Sequence, residues 1–192
     1  MDKQVLLFAS QNRHKLEEMR LLIPPMYQLK NLTDIGWTDE IPEPFETFEE
    51  NAMAKTRYIY ERTGLSCFAE DSGLEIDALH GRPGVYSARY AGRHGHHEGN
   101  NRKVLLELGS RPDRTARYTA VIAWQVNHET IHLFKGRVEG SISMTPIGEN
   151  GFGYDPIFIP AGFDQTFGQL PASVKQAISH RSKAFRLFLE AL

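Results

Sequence analysis

The sequence predicts an α/β protein that mixes parallel and antiparallel strands. Three observations carry this. The run "VLLFA" (5–9) is short, continuous and apolar, as in a strand covered on both faces, and a helical pattern follows it directly. The segments "ARYTAVIAWQV" (116–126) and "TIHLFKGRVEGSI" (130–142), joined through Asn127-His128, read as an antiparallel meander. Toward the end, Val174, Ile178, Phe185, Phe188, Leu189 and Leu192 recur at steps of three and four, the spacing of an apolar helix face.

The remaining elements follow in order. Leu16, Met19, Leu22 and Ile23 share one face of a first helix, which Pro24-Pro25 should stop. Residues 38–47, acidic and proline-rich, read as a loop. Thr47 and Glu50 have the spacing of a capping box, so a helix is expected over 48–62, with Gly64 as its C-terminal stop. "LSCFAEDSGLEIDAL" (65–79) reads as strand, its apolar Leu74, Ile76 and Ala78 alternating with Glu75 and Asp77 until Gly81, Pro83 and Gly84 break it. A short helix is expected over 99–108, ending at Gly109. "GENGFGYDPIFIP" reads as a glycine-rich loop entering another apolar strand. Ser173 is placed as the cap of the final helical region, and Ser179 as a restart within it.

The whole chain of 192 residues suits one domain, or one domain of two lobes. It is 41% hydrophobic and 24% charged, with a net charge of −2. That charge excludes nucleic-acid binding through a bulk basic field. Any anionic partner must be held by a few placed cations. One cysteine, Cys67, excludes an intramolecular disulfide and a cysteine zinc cluster. The opening apolar run is too short for a signal peptide or a membrane span, so a cytoplasmic location is expected.

Four polar clusters carry candidate chemistry. In "SQNRHK" (10–15), free N–H groups at a helix N-terminus can bind an anion, and Lys15 adds charge where the helix dipole disfavours it; the plain alternative is an ordinary strand–helix connection. The acidic run Glu70, Asp71, Glu75, Asp77 has the hard oxygen donors that suit Mg2+, and paired carboxylates can share a proton and act as a base. A solvated strand face suits Glu75 and Asp77 equally well. In "GFGYDP" (151–156), Phe152 and Tyr154 could stack on a planar ring while Asp155 accepts from ring N–H groups; the alternative tucks both aromatics into the core. In "SHRSK" (179–183), with Lys175 one helical turn upstream, the donors suit carbonyl oxygens and phosphates or simply line a polar helix face. His94, His96 and His97 sit in a glycine-rich polar stretch that reads as an exposed loop, and no nucleophile elbow is present.

In order and content these clusters resemble the inosine triphosphate pyrophosphatase family. The resemblance runs through "ASQNRHKLEEM", "ENAMAK", "AEDSGLEIDALHGRPGVYSARYAG", "GFGYDPIF" and "AISHRSKA". It implies a long mixed sheet flanked by helices, two lobes with an active-site cleft between them, and a generally homodimeric assembly. It implies Mg2+-dependent hydrolysis of non-standard purine nucleoside triphosphates (ITP, dITP, XTP) to the monophosphate and pyrophosphate. By motif, Ser10, Gln11, Asn12, Arg13, His14 and Lys15 resemble the family's phosphate-cradling loop, and Lys55 a second phosphate lysine. Asp71 resembles the metal-binding acid and general base, with Glu70 and Glu43 as further metal ligands, and Ser72 a substrate contact. Phe152, Gly153, Tyr154 and Asp155 resemble the base-binding loop; Lys175, His180 and Arg181 resemble residues that hold the nucleotide and read its base. The sequence departs from the family pattern at Gln11, where glycine is usual, at Glu70, where aspartate is usual, and at Ser182, again for glycine.

Two functions of other classes compete. One is a catalytically silent nucleotide-binding or regulatory protein of the same fold, which would have no need of a metal-binding acid. The other is an RNA-binding module, disfavoured by the net charge and by the lack of an RNP-like aromatic strand. No membrane partner is expected.

Overall fold

The computed structural model describes residues 3–192. Among the described residues six strands and five α-helices follow one another: β1 (Gln4–Phe8), α1 (Arg13–Arg20), β2 (Tyr27–Asn31), α2 (Phe48–Thr63), β3 (Cys67–Ile76), α3 (His97–Leu108), β4 (Thr115–Gln125), β5 (Ile131–Ile142), β6 (Phe158–Pro160), α4 (Ala172–Ile178) and α5 (His180–Glu190). The strands form one sheet in the order β2-β1-β3-β4-β5-β6. β1 runs parallel to both β2 and β3, whereas β5 and β6 are antiparallel. The sheet is therefore mixed, as expected. No helix among the described residues is long and apolar enough to cross a membrane.

The chain divides into two compact units. The first comprises the chain up to Asp71 with Ala120–Gly136 and Ser182–Leu192. Its core is built on the alternation of strand side chains. Leu6 and Phe8 of β1 pack with Leu16 and Met19 of α1 and with Ala184, Phe185 and Phe188 of α5. Leu7 and Ala9 face the other way, joining Ile59 of α2 and Cys67 and Ala69 of β3. A strand sandwiched between helical layers in this way must be apolar on both faces, which is why "VLLFA" reads as a continuous run. Phe68 lies at the centre of one layer, its ring centroid 5.0 Å from Phe8, 4.6 Å from Phe188 and 5.9 Å from Phe185.

The second unit comprises Ser72–Thr119 and Arg137–Arg181. Its core joins Leu74, Ile76 and Leu79 to Val104 and Leu108 of α3, Tyr118 of β4, and Phe158 and Phe167. On β3, Glu75 donates nothing to this core: its carboxylate accepts from the Thr119 hydroxyl at 2.5 Å. Asp77 is ion-paired with Arg117 at 2.7 Å.

Helix boundaries follow local chemistry. Thr47 caps α2 by accepting the Glu50 N–H at 3.2 Å, and Gly64 ends it with φ 67°. α1 stops at Arg20, short of the two prolines, and α3 starts at His97, ahead of the expected 99. Ser173 is not a cap: α4 starts at Ala172, with Pro171 before it in extended conformation. Ser179 has ψ 156°, which breaks the final helical region into α4 and α5. β2 has no counterpart in the sequence expectation, because only Leu29 of its five residues is buried. Replacing Phe68 with alanine should cost about 3–5 kcal/mol of unfolding free energy in urea melts, the usual loss for a buried aromatic; a loss under about 1 kcal/mol would mean that this layer is not the core of the first unit.

Candidate active site

Within the first unit, the loop after β1 turns the chain into α1. The Ser10 hydroxyl accepts the Asn12 N–H at 3.1 Å, and the Asn12 side chain accepts the Lys15 N–H at 3.1 Å, capping α1. α1 has no acid in its first turn. Its Lys15 ammonium instead reaches Glu70, 3.4 Å from the carbonyl and 3.7 Å from the carboxylate. The charge that seemed misplaced at a helix N-terminus thus has a buried carboxylate to face.

Lys55 enters the same place from α2. It donates to Asp71 Oδ1 at 3.0 Å and to the Glu70 carbonyl at 3.2 Å, and it lies 2.5 Å from Glu43 Oε1. Burial alone would lower the Lys55 ammonium, but the charges of Asp71 and Glu43 outweigh it and hold the group above its ordinary value. For Asp71, burial raises the carboxyl above its ordinary value against the opposing pull of Lys55 and Lys15, and Glu43 adds to the rise. Glu70 and Asp71 lie in the middle of β3, and both are buried.

The structure therefore brings Lys15, Lys55, Glu43, Glu70 and Asp71 together. It does not bring Arg13 to them. Arg13 is exposed on α1 and paired with Glu17 at 2.9 Å. His14 is also exposed on that helix, and exposed Gln11 reaches the Asp39 carbonyl at 3.5 Å.

One member of the cluster has no counterpart in the sequence expectation. Asn51 on α2 is only 1% exposed and donates to Asp71 Oδ2 at 3.2 Å. A signal for it exists: Asn51 and Lys55 are four apart on one helix, so they share a face.

The second unit holds a separate arrangement. Asp155 is buried and accepts from Lys175 at 2.5 Å and from the Phe152 N–H at 2.8 Å. The Lys175 ammonium lies 4.7 Å from the Phe152 ring centroid, and the Arg181 guanidinium lies 5.6 Å from it. Arg181 also donates to the Ser72 hydroxyl at 3.3 Å. His180 is stacked on Tyr118, with 4.6 Å between centroids and 6° between planes. The loop is tight at Gly151, where φ is +74° and an added Cβ would strike the Asp155 carboxylate.

Tyr154 does not sit beside Phe152 as a second stacking ring. It is buried in the core, and its hydroxyl donates to the Ser87 carbonyl at 2.8 Å. Burial pushes that hydroxyl well up, so it stays neutral. Phe152, half-buried, is the aromatic of this loop left to meet a planar ring. Ser87 explains part of "GRPGVYSARYAG". Its hydroxyl accepts the Leu74 N–H at 2.9 Å and donates to the Gly84 carbonyl at 2.6 Å. It thereby braces β3 and the Tyr154 loop together. Arg82 is 3.3 Å from Glu107, and Arg89 lies over Tyr86 at 5.3 Å.

These features define an α/β protein with buried lysine–carboxylate centres on a mixed sheet. A model of the Ham1 family matches residues 6–191, and the chain belongs to that family. It is similar to proteins named dITP/XTP pyrophosphatase: one from Christiangramia forsetii at 45% identity, covering 97% of this chain and 98% of the relative, and one from Flavobacterium psychrophilum at 43%, covering 96% and 97%. A solved structure of a HAM1 protein from Coxiella burnetii is 38% identical, covers 98% of each chain and superposes with a TM-score of 0.90.

Replacing Lys55 with methionine should raise the pH at which Asp71 titrates, because burial and Glu43 remain while the nearest cation is lost. Carboxyl 13C NMR reads this directly. An unchanged or lower titration point would mean that Lys55 does not set the charge of Asp71.

Proposed function

We propose that this chain hydrolyses the triphosphates of non-standard purine nucleosides (ITP, dITP and XTP) to the nucleoside monophosphate and pyrophosphate. The buried cluster of Lys15, Lys55 and Asp71 is the observation that carries the reaction type. The substrate class is supported by the relatives named dITP/XTP pyrophosphatase, similar along nearly their whole length.

The lysines fit charge stabilisation. Cleavage of a phosphoanhydride spreads negative charge over phosphoryl oxygens, and positioned ammonium groups stabilise it. Lys15 and Lys55 supply those groups from α1 and α2. The Ser10–Asn12 loop adds the Ser10 hydroxyl and the Asn12 carboxamide N–H groups as donors beside Lys15. Asp71 accepts a proton from the attacking water as the α–β linkage breaks and pyrophosphate departs. Burial raises its carboxyl, which makes Asp71 a better proton acceptor than an exposed aspartate.

The donor set also fits a hard divalent cation. Glu43 and Asp71 already converge on one positive charge, the Lys55 ammonium, and the cluster holds more carboxylates than ammonium groups. All the charged donors are oxygen, which suits Mg2+. Glu43 and Asp71 would hold it, with Glu70, whose carboxylate faces Lys15, beside them, and when bound it would neutralise charge on the triphosphate.

Base choice rests on the second unit. Phe152 offers a ring face to a purine. Arg181, a pure donor, suits the O6 acceptor of hypoxanthine or xanthine and opposes the amino group of adenine, where donor would meet donor. Lys175 lies against the Phe152 ring, Asp155 fixes the loop by accepting the Phe152 N–H and anchors Lys175, and His180, stacked on Tyr118, precedes Arg181 on α5.

Pyrophosphate release from a panel of nucleoside triphosphates, with and without Mg2+, tests this reading. ITP and XTP should be turned over and ATP should lag by about tenfold or more in kcat/KM. Asp71→Asn should be nearly inactive. Equal turnover of ATP and ITP would remove the role of Arg181, and an active Asp71→Asn would remove that of Asp71.

A further inference from the structure

Asn51 lies on α2 one turn before Lys55, and its amide spends its hydrogen-bonding groups in two directions. Toward the 38–47 loop it makes a two-way clamp: the Phe45 N–H donates to Asn51 Oδ1 at 3.0 Å, and Asn51 Nδ2 donates to the Phe45 carbonyl at 3.0 Å. Toward β3, the same Nδ2 donates to Asp71 Oδ2 at 3.2 Å. The clamped loop is the one that carries Glu43, two residues before Phe45. Asp71 then has both oxygens fixed, Oδ1 by Lys55 and Oδ2 by Asn51.

We infer that Asn51 is a positioning residue that ties the Glu43 loop to the Asp71 carboxylate, so that the two acids present their oxygens to a divalent cation as one preset pair. The inference rests on reading Glu43 and Asp71 as cation-holding carboxylates. The residue type matches the task. A carboxamide is the side chain that combines two N–H donors with a carbonyl acceptor and carries no charge. It can therefore orient a carboxylate without neutralising it, which a lysine in its place would do. The carboxamide is buried, so its donors need partners, and beside the Phe45 carbonyl the partner is the Asp71 carboxylate rather than a second backbone carbonyl. Hydrogen-bond partners of ligating carboxylates typically change metal affinity or activity by about 10- to 100-fold when removed.

The test compares wild type, Asn51→Ala and Ile59→Ala, the last a core truncation on the same helix that removes no polar group of the cluster. Mn2+ binding is measured by electron paramagnetic resonance without nucleotide, and exchange of the Phe45 amide by NMR. Asn51→Ala should weaken Mn2+ binding about tenfold or more and strip the Phe45 amide of protection, and with ITP it should lower kcat more than it raises KM. Ile59→Ala should lose thermal stability while keeping the Mn2+ affinity, the Phe45 protection and kcat. Equal Mn2+ affinity in wild type and Asn51→Ala overturns the inference. If wild type itself binds no Mn2+, the cation reading of Glu43 and Asp71 fails, and the Phe45 amide decides the clamp alone: protection kept in Asn51→Ala overturns it. Should Asn51→Ala fail to fold, Asn51→Asp keeps the size and the acceptor for Phe45 but loses both donors. Its kcat should fall about tenfold or more, and a full kcat overturns the inference.

Discussion

The ammonium of Lys55 is the charge on which the polar interior of the first unit depends. It sits among Asp71, Glu43 and the Glu70 carbonyl, in a place that is nearly closed to water. Asp71 and Glu70, both buried, would be costly to hold alone, since desolvation of a carboxylate outweighs most single contacts. With Lys55 on Asp71 and Lys15 on Glu70, strand β3 can carry two adjacent buried acids directly after the apolar Cys67, Phe68 and Ala69. Asp71 records the balance: burial raises its carboxyl, and the two lysines pull it back.

The second unit repeats the device with different surroundings. Lys175 seats on buried Asp155, as Lys55 seats on Asp71. The difference lies in what else each lysine meets. Lys55 faces a further carboxylate and a carbonyl, a setting suited to phosphate and cation chemistry. Lys175 faces the ring of Phe152, beside Arg181, a setting suited to a planar base. Each environment is built on one buried lysine–aspartate pair.

Much of the fold was legible because its signals are local. The capping box at Thr47 and Glu50, the glycine at 64 and the apolar run of β1 each act within a few residues, and each element formed where those residues place it. β2 escaped because an edge strand with one buried side chain has no strong pattern to read. Ser173 misled because a serine near a helix start is a good cap only when the chain begins its helix just after it, and Pro171 sets an earlier start. The polar clusters stood out by residue type, yet their pairings did not. That Lys15 faces Glu70, that Asn51 bonds to Asp71, and that Tyr154 turns into the core to meet Ser87 all depend on residues distant in sequence. Composition cannot reveal such meetings; only the strand register and helix placement do.

The interdependence of Lys55 and Asp71 is tested most directly by a double-mutant cycle on unfolding free energy, using Lys55→Met, Asp71→Asn and the double variant. Each single change leaves its partner buried with its main counter-charge gone, whereas the double change removes both. The expected coupling is about 2 kcal/mol, with the double variant far less destabilised than the sum of the singles. Additive losses, with coupling below about 0.5 kcal/mol, would show that the two charges are held independently and that the polar interior does not depend on their pairing.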